Sequence, residues 1–358
     1  MFSEMPQAPP QESPATVKMY FREAIIRALR EEMRDDPNIV LLGQDIGAFG
    51  GSYREFDGLY GEFGARRVRD MPVAEAAMVG VGVGAAAAGL RSLVSITYMD
   101  FLMLGFDPLI NYAAKLRYKT GGQLTAPVVV KTTAGARGQG VAHSQCLEAW
   151  LMSVPGLKVV APSTPADAYG LLKAALREAG PVVYVDHKRL FPIPGDVPVG
   201  EAITPIGHAA IRRAGVDLTI TTHSFMTRVA LEAADILAAE AISAEVIDLR
   251  SLAPLDMDTV TASIRRTGAL LTLEEGQVTC GVGAEVAARV RERLGQAGGA
   301  LRTGRLGALP APVSSNPVLE AASLPDAQRV AAAARALLAG EVAESLADTN
   351  TTHLWSAS

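Results

Sequence analysis

Phe21, Ile25, Leu29 and Met33 recur every four residues with Arg and Glu between them, which predicts a half-buried helix ended by Asp35-Asp36-Pro37. Short runs that are apolar at consecutive positions follow at Ile39 to Leu42, Leu93 to Thr97, Val128 to Lys131, Lys158 to Ala161 and Val182 to Val185. Such runs read as strands covered on both faces. Between them, helical patterns span Glu75 to Ala88, Phe106 to Tyr118, Cys146 to Val154 and Pro165 to Arg177, the last with Ser163 as the expected cap. Alternating strand and helix predict an α/β fold with a doubly wound parallel sheet.

A second unit begins after Phe191-Pro192-Ile193-Pro194-Gly195-Asp196-Val197-Pro198, whose prolines read as a stiff linker. The alternation then resumes through Leu218 to Thr222, Ala230 to Ala239, Glu245 to Leu249, Val260 to Arg266, Ala269 to Leu273 and Gly283 to Leu294, with an Ala-rich helix over Ala322 to Leu338. The expected organisation is a disordered start (1–16), a first α/β domain (17–198), a smaller α/β domain (199–340) and a mobile tail (341–358). No internal repeat is evident.

Composition narrows the function classes. At 358 residues, two domains of ordinary size are expected, and 49% hydrophobic with 20% charged residues excludes disorder over most of the length. A net charge of −5 without a Lys/Arg-rich run argues against nucleic acid as a partner. No apolar run reaches the roughly 20 residues that cross a bilayer. Cys146 and Cys280 have neither zinc-ligand spacing nor a disulfide-framework count, and Met1 to Thr16 lacks the order of a secretory signal, so a cytoplasmic protein is expected.

Glu75 is the first candidate for chemistry. It stands alone among Val73, Ala74, Ala76, Ala77, Met78 and Val79, where an ionised carboxylate is costly without a partner; a surface glutamate favoured by a helix N-terminus is the alternative. His143 lies in the loop Gly138-Gln139-Gly140-Val141-Ala142-His143-Ser144-Gln145, where either a catalytic or a capping role fits. Phe101, after Tyr98-Met99-Asp100, could present its ring to a ligand or to the core. Gly80-Val81-Gly82-Val83-Gly84 lacks the spacing of a dinucleotide-binding turn and reads as close packing of a buried helix.

Taken together, these stretches resemble the β subunit of the thiamine diphosphate-dependent decarboxylating component of 2-oxo acid dehydrogenase complexes, the group of pyruvate, branched-chain and acetoin dehydrogenases. The resemblance runs from about residue 18 to residue 335. It is carried by Gly43-Gln44-Asp45-Ile46-Gly47, Val73-Ala74-Glu75-Ala76, Tyr98-Met99-Asp100-Phe101, Ala113-Ala114-Lys115-Leu116-Arg117-Tyr118, His143-Ser144-Gln145, Pro155-Gly156-Leu157-Lys158-Val159-Val160-Ala161-Pro162 and Ala244-Glu245-Val246-Ile247-Asp248-Leu249-Arg250. It implies a pyrimidine-binding domain followed by a transketolase C-terminal-like domain. It also implies that Glu75 bonds a ring nitrogen of the cofactor's aminopyrimidine and favours the tautomer that removes the thiazolium proton. Phe101 would stack on the pyrimidine, Val73 and Thr97 would lie beside it, and His143 would stand near the reacting carbon and assist acyl transfer to a lipoyl arm.

The family's Gly-Asp-Gly motif with its downstream Asn, which holds diphosphate and Mg²⁺, does not occur in this sequence. The resemblance therefore implies a separate α subunit, thiamine diphosphate at the α/β interface, an α2β2 tetramer and docking to a lipoyl-bearing acyltransferase. It further implies a K⁺ site at Val128, Ala175, Leu176, Glu178 and Gly180, where Glu and Gly replace the expected Asp and Asn; backbone carbonyls can still serve a hard cation. Gln44 stands where many relatives have Glu, and Ala74 and Ala77 replace Ser or Cys and Gly. Asp186-His187-Lys188 is similar to the Glu-His-Lys of acetoin and bacterial pyruvate members. The expected substrate is a 2-oxo acid or acetoin. The rival expectations are a split transketolase-like ketol transferase and a non-catalytic homologue.

Overall fold

The computed structural model describes residues 15–295 and 301–341. Strands β1 (Thr16–Tyr20), β2 (Ile39–Gly43), β3 (Val68–Asp70), β4 (Arg91–Ile96), β5 (Val128–Ala134), β6 (Lys158–Val160), β7 (Val182–His187) and β8 (Pro194–Pro198) come before residue 199. The second half supplies β9 (Ala210–Arg213), β10 (Leu218–Thr222), β11 (Ala244–Asp248), β12 (Ser251–Ala253), β13 (Ala269–Gln277) and β14 (Arg302–Ala308). A seven-stranded sheet has the order β12-β6-β7-β5-β4-β2-β3, parallel except for β12, and a five-stranded sheet the order β14-β13-β10-β11-β9, parallel except for β9. Two α/β domains result, as the alternation predicts.

Consecutive apolar residues explain the layering. Leu41, Leu93, Val129 and Val182 point into one core with the helices Phe21–Asp35 and Pro165–Arg177. Their neighbours Leu42, Val94, Val130 and Val183 point into the other. That second core also takes Val79 and Val83 of the helix Glu75–Ala87 and, from the second domain, Val260, Ile264, Val286 and Val290. Each such side chain contributes roughly 1.5–3 kcal/mol on burial, so the domains meet through an apolar core. The outer face of the second sheet packs on the helices Met226–Ala239 and Ala327–Ala339.

Several elements differ from the sequence expectation. The proline-rich linker is partly a strand: β8 pairs antiparallel with β1, in register Thr16 to Pro198, so it is tied to the first domain. Thr16, expected in the disordered start, opens that pair; residues 1–14 and 342–358 lie outside the described residues. Thr164, not Ser163, caps the helix Pro165–Arg177, its hydroxyl accepting from the Asp167 amide, while Ser163 donates to Asp248. The helix expected over Phe106 to Tyr118 begins earlier, at Met99, and passes through a π-helical turn at Asp107–Ala113. The helix expected over Cys146 to Val154 is shorter, Glu148–Met152. Least foreseeable is β12, which leaves the second domain to complete the first sheet against β6.

Candidate functional site

The site lies where open parallel sheets bind ligands, beyond the C-terminal ends of the strands. Gly43 of β2 registers with Ser95 of β4, and Ala134 of β5 with His187 of β7. Gln44, Thr97, the loop beginning at Gly135, and Lys188 therefore emerge along one edge.

Glu75 is the first residue of the helix that leads into β4 and is only 6% exposed, so the buried reading holds and the surface one does not. Its Oε1 accepts one long bond, 3.4 Å, from the Gln44 amide, which also lies 3.8 Å from the Met78 sulfur. With Gln at position 44 the neighbour is a donor; a Glu there would set a second carboxylate against Glu75. Gly105 packs against the Glu75 carbonyl, which brings the turn carrying Phe101 beside the helix.

The remaining expected residues form an aromatic wall. The His143 ring meets Phe101 edge to face at 5.3 Å and Tyr98 at 4.7 Å. Thr97 is half-buried at the end of β4, and Val73 is 78% exposed at the mouth. Tyr98, which stands out in the sequence only within its motif, centres the wall: its hydroxyl accepts from Gln139, and Tyr53 stands edge-on at 6.5 Å. A buried carboxylate with spare accepting capacity beside half-buried aromatic faces fits an aminopyrimidine, so the residues present suit thiamine diphosphate. Among the described residues, no cluster of three or more His, Cys, Asp or Glu side chains could hold a metal ion.

The helix Glu75–Ala87 is not buried all round. Glu75, Met78, Val79, Gly82, Val83 and Ala86 face the core, while Val73, Ala77, Val81, Gly84 and Ala88 make an exposed apolar stripe. A Cβ on Gly82 would lie 2.3 Å from Val94 Cγ2, so only glycine fits there; at Gly84 it would meet nothing. Exposed Leu104, Tyr112 and Tyr118 follow on the adjoining helical stretch.

The potassium positions fare differently. Arg91 Nη1 donates to the carbonyls of Leu176 and Glu178, each at 2.9 Å, so a guanidinium already serves two of the five expected ligands. A K⁺ ion does not fit that cluster as it stands.

Sequence reasoning missed a cavity of about 500 Å³ between the domains, lined by Cys146, Glu148, Trp150, Glu274, Cys280 and Pro312 among others. Burial pushes Glu148 up to about 8 and Glu274 up to about 7, the latter against the opposing pull of the Gly283 and Val282 amides. Burial likewise raises the Cys146 thiol well above its ordinary value. No spacing in the sequence brings residues 146–150 to residues 274–282.

Residues 17–194 match the transketolase pyrimidine-binding domain and residues 207–330 the transketolase C-terminal domain. The chain is 41% identical over 336 residues to the β subunit of acetoin:2,6-dichlorophenolindophenol oxidoreductase of Cupriavidus necator, covering 90% of this chain and 98% of that one. It is 46% identical over 285 residues to the β-1 subunit of the mitochondrial pyruvate dehydrogenase E1 component of Oryza sativa, covering 78% and 76% respectively. A solved split-gene transketolase, described as an inactive β4 tetramer, matches with a TM-score of 0.74 at 27% identity, over 90% of this chain and 98% of that chain. No helix among the described residues is long and apolar enough to cross a membrane. The chain belongs to the β-subunit family of the thiamine diphosphate-dependent decarboxylating components of 2-oxo acid and acetoin dehydrogenases, oxidoreductase subunits built from these two transketolase-type domains.

Proposed function

We propose that this chain is a cytoplasmic β subunit that pairs with an α subunit in an α2β2 tetramer, acts on a 2-oxo acid or acetoin, and passes the acyl group to the lipoyl arm of an acyltransferase. One observation carries the reading: the buried Glu75 carboxylate keeps accepting capacity on a helix against which the turn after Phe101 packs through Gly105, with Tyr98, Phe101 and His143 forming one wall and an exposed apolar stripe on the same helix. That stripe supports the α subunit as the partner that covers it and brings the residues for diphosphate and Mg²⁺. The solved β4 tetramer is described as inactive, in line with a β chain that needs its partner. K⁺ is left out of the proposed cofactor set, because it would have to displace Arg91.

Bound thiamine diphosphate supplies a nucleophilic carbon and a sink for the electrons released when a carbon–carbon bond breaks. Glu75 holds or releases a proton at Oε1 or Oε2 towards a pyrimidine nitrogen, and burial keeps competing water away. Phe101 and Val73 offer apolar contact to the ring. His143, whose ring nitrogens accept or donate no bond among the described residues, is free to serve the reacting oxygen.

The test is thiamine diphosphate- and Mg²⁺-dependent reduction of 2,6-dichlorophenolindophenol with a panel of 2-oxo acids and acetoin, for this chain alone and copurified with an α subunit. Activity in the pair alone, with one preferred substrate, is expected. The split-gene transketolase favours a second reading, ketol transfer; activity with sugar phosphates and none with lipoamide would establish that instead.

A further inference from the structure

Asp186-His187-Lys188 does more than hint at a substrate. Strand β7 ends at His187, and residues 188–190 form a turn closed by the Leu190 amide donating to the His187 carbonyl at 2.9 Å, so the side chains of residues 187, 188 and 189 leave in different directions. His187 Nε2 donates to Glu275 Oε2 at 2.8 Å, its Nδ1 accepting from the Arg189 amide at 3.1 Å, and Arg189 Nη2 donates to Glu320 Oε1 at 2.8 Å; both glutamates belong to the second domain. Between them Lys188, fully buried, donates to the carbonyls of Gly135, at 2.8 Å, and of His143, and lies 4.9 Å from the Tyr98 ring centroid.

The same two glutamates hold the same loop. Glu275 Oε1 accepts from the Ala136 amide at 2.7 Å, and Glu320 Oε2 from the Gly138 amide at 2.6 Å. At the far end Asp100 Oδ1 accepts from the Gln145 amide at 3.2 Å and side chain at 2.9 Å. Gly135 has φ of +86° with the His187 ring where a Cβ would stand, so the loop starts in the only way the clamp permits. The bonds end on loop backbone, with the Gln145 side chain added, and none ends on the imidazole, so the clamp sets where His143 stands and leaves its nitrogens free.

We propose that Lys188 is a positioning residue for His143: its ammonium ties the two ends of the histidine loop together, while His187 and Arg189 lock that loop to the second domain through Glu275 and Glu320. The inference rests on the thiamine diphosphate reading above, in which His143 serves the reacting group. Aim is worth much in catalysis, since a displacement of about 1 Å costs on the order of 100-fold.

The experiment compares the α-paired, cofactor-loaded holoenzyme carrying Lys188→Met, His143→Ala or both. Lys188→Met is expected to lower kcat with a lipoyl acceptor by about 10- to 100-fold, with KM changed by less than about twofold for want of any lost substrate contact. Lys188→Arg, which keeps donors, is expected to restore part of the rate. The double variant is expected to be no slower than His143→Ala, the non-additivity of residues acting through one another; losses that multiply would overturn the proposal. If Lys188→Met yields no folded holoenzyme, Glu320→Gln is put through the same cycle, with a several-fold loss expected that vanishes in the His143→Ala background. An unaltered holoenzyme inactive with every substrate would be a failure of the functional reading alone. The clamp is then read by hydrogen exchange at residues 135–145, expected to quicken about tenfold or more in the substituted chain as local opening eases; unchanged exchange would refute it.

Discussion

Two of the regions in which this molecule buries carboxylates treat them in opposite ways. Along the seam between the domains, Asp167 takes Arg212 and, at 3.0 Å, Arg250, while Asp248 takes Arg212, at 2.8 Å, and the Ser163 hydroxyl. At the edge of the first sheet, Glu75 is almost as deeply buried but accepts one long bond from Gln44. The seam satisfies its charges from within the chain, whereas the edge leaves an acid with capacity to spare beside an uncovered apolar stripe. Burying a charge without a partner is costly, so the seam reads as structure and the edge as a place that awaits a ligand.

The sharpest test of that contrast is Glu75→Gln, which keeps shape and removes the acid. Turnover of the α-paired enzyme is expected to fall by about 10²- to 10⁴-fold, the usual scale of a lost acid–base group, with the thermal midpoint of this chain unmoved. At the seam the pattern inverts: Arg212→Met strands Asp248 and is expected to cost about 3–5 kcal/mol in denaturant unfolding, while the protein that remains folded keeps its specific activity. A stability loss at Glu75, or an activity loss without one at Arg212, would erase the distinction.

Glu148 sharpens it from a third side, as a buried acid on the wall of the interdomain cavity, where no cation offsets burial and the charges of Glu275 and Glu274 add to it. Its pKa, raised by burial to about 8, exceeds the ordinary 4.5, so between those values the folded state binds a proton that the unfolded state has lost. Stability must then fall as pH rises through that window, by at most about 1.4 kcal/mol per pH unit, and level off above pH 8. Glu148→Gln is expected to remove its share of that slope in urea titrations from pH 5 to 8, most cleanly above pH 7, where Glu274, raised to about 7, contributes least. The smallest effects come from one helix. Gly82→Ala, driven against Val94, is expected to destabilise by roughly 1–3 kcal/mol. Gly84→Ala, facing outward, is expected to stabilise the isolated chain by up to about 1 kcal/mol while weakening its pairing with the α subunit in sedimentation.

The strands were legible because apolar residues at consecutive positions need cover on both faces, and β2, β4, β5 and β7 have it. Glu75 stood out because its neighbours are apolar, and Phe101 and His143 because the motifs around them were ordered as in the family. What stayed hidden depends on distance in the chain. Nothing local in Ser251-Leu252-Ala253 assigns it to the first sheet, and nothing near Lys188 announces the carbonyl of residue 143. The stripe on the helix Glu75–Ala87 is exposed where the sequence predicts burial, because glycine and alanine carry no sign of which face meets the core. The potassium positions were read for their carbonyls, and the guanidinium that takes two of them comes from β4.

Because β12 closes the edge of the first sheet, order of synthesis matters. The carbonyls and amides of β6 stand without their last strand until residue 253 has left the ribosome, long after the rest of the sheet can assemble. An exposed strand edge is a template for mispairing. A nascent chain stalled within the second domain is therefore a substrate for chaperones, and the first domain expressed on its own is expected to aggregate rather than fold as a module.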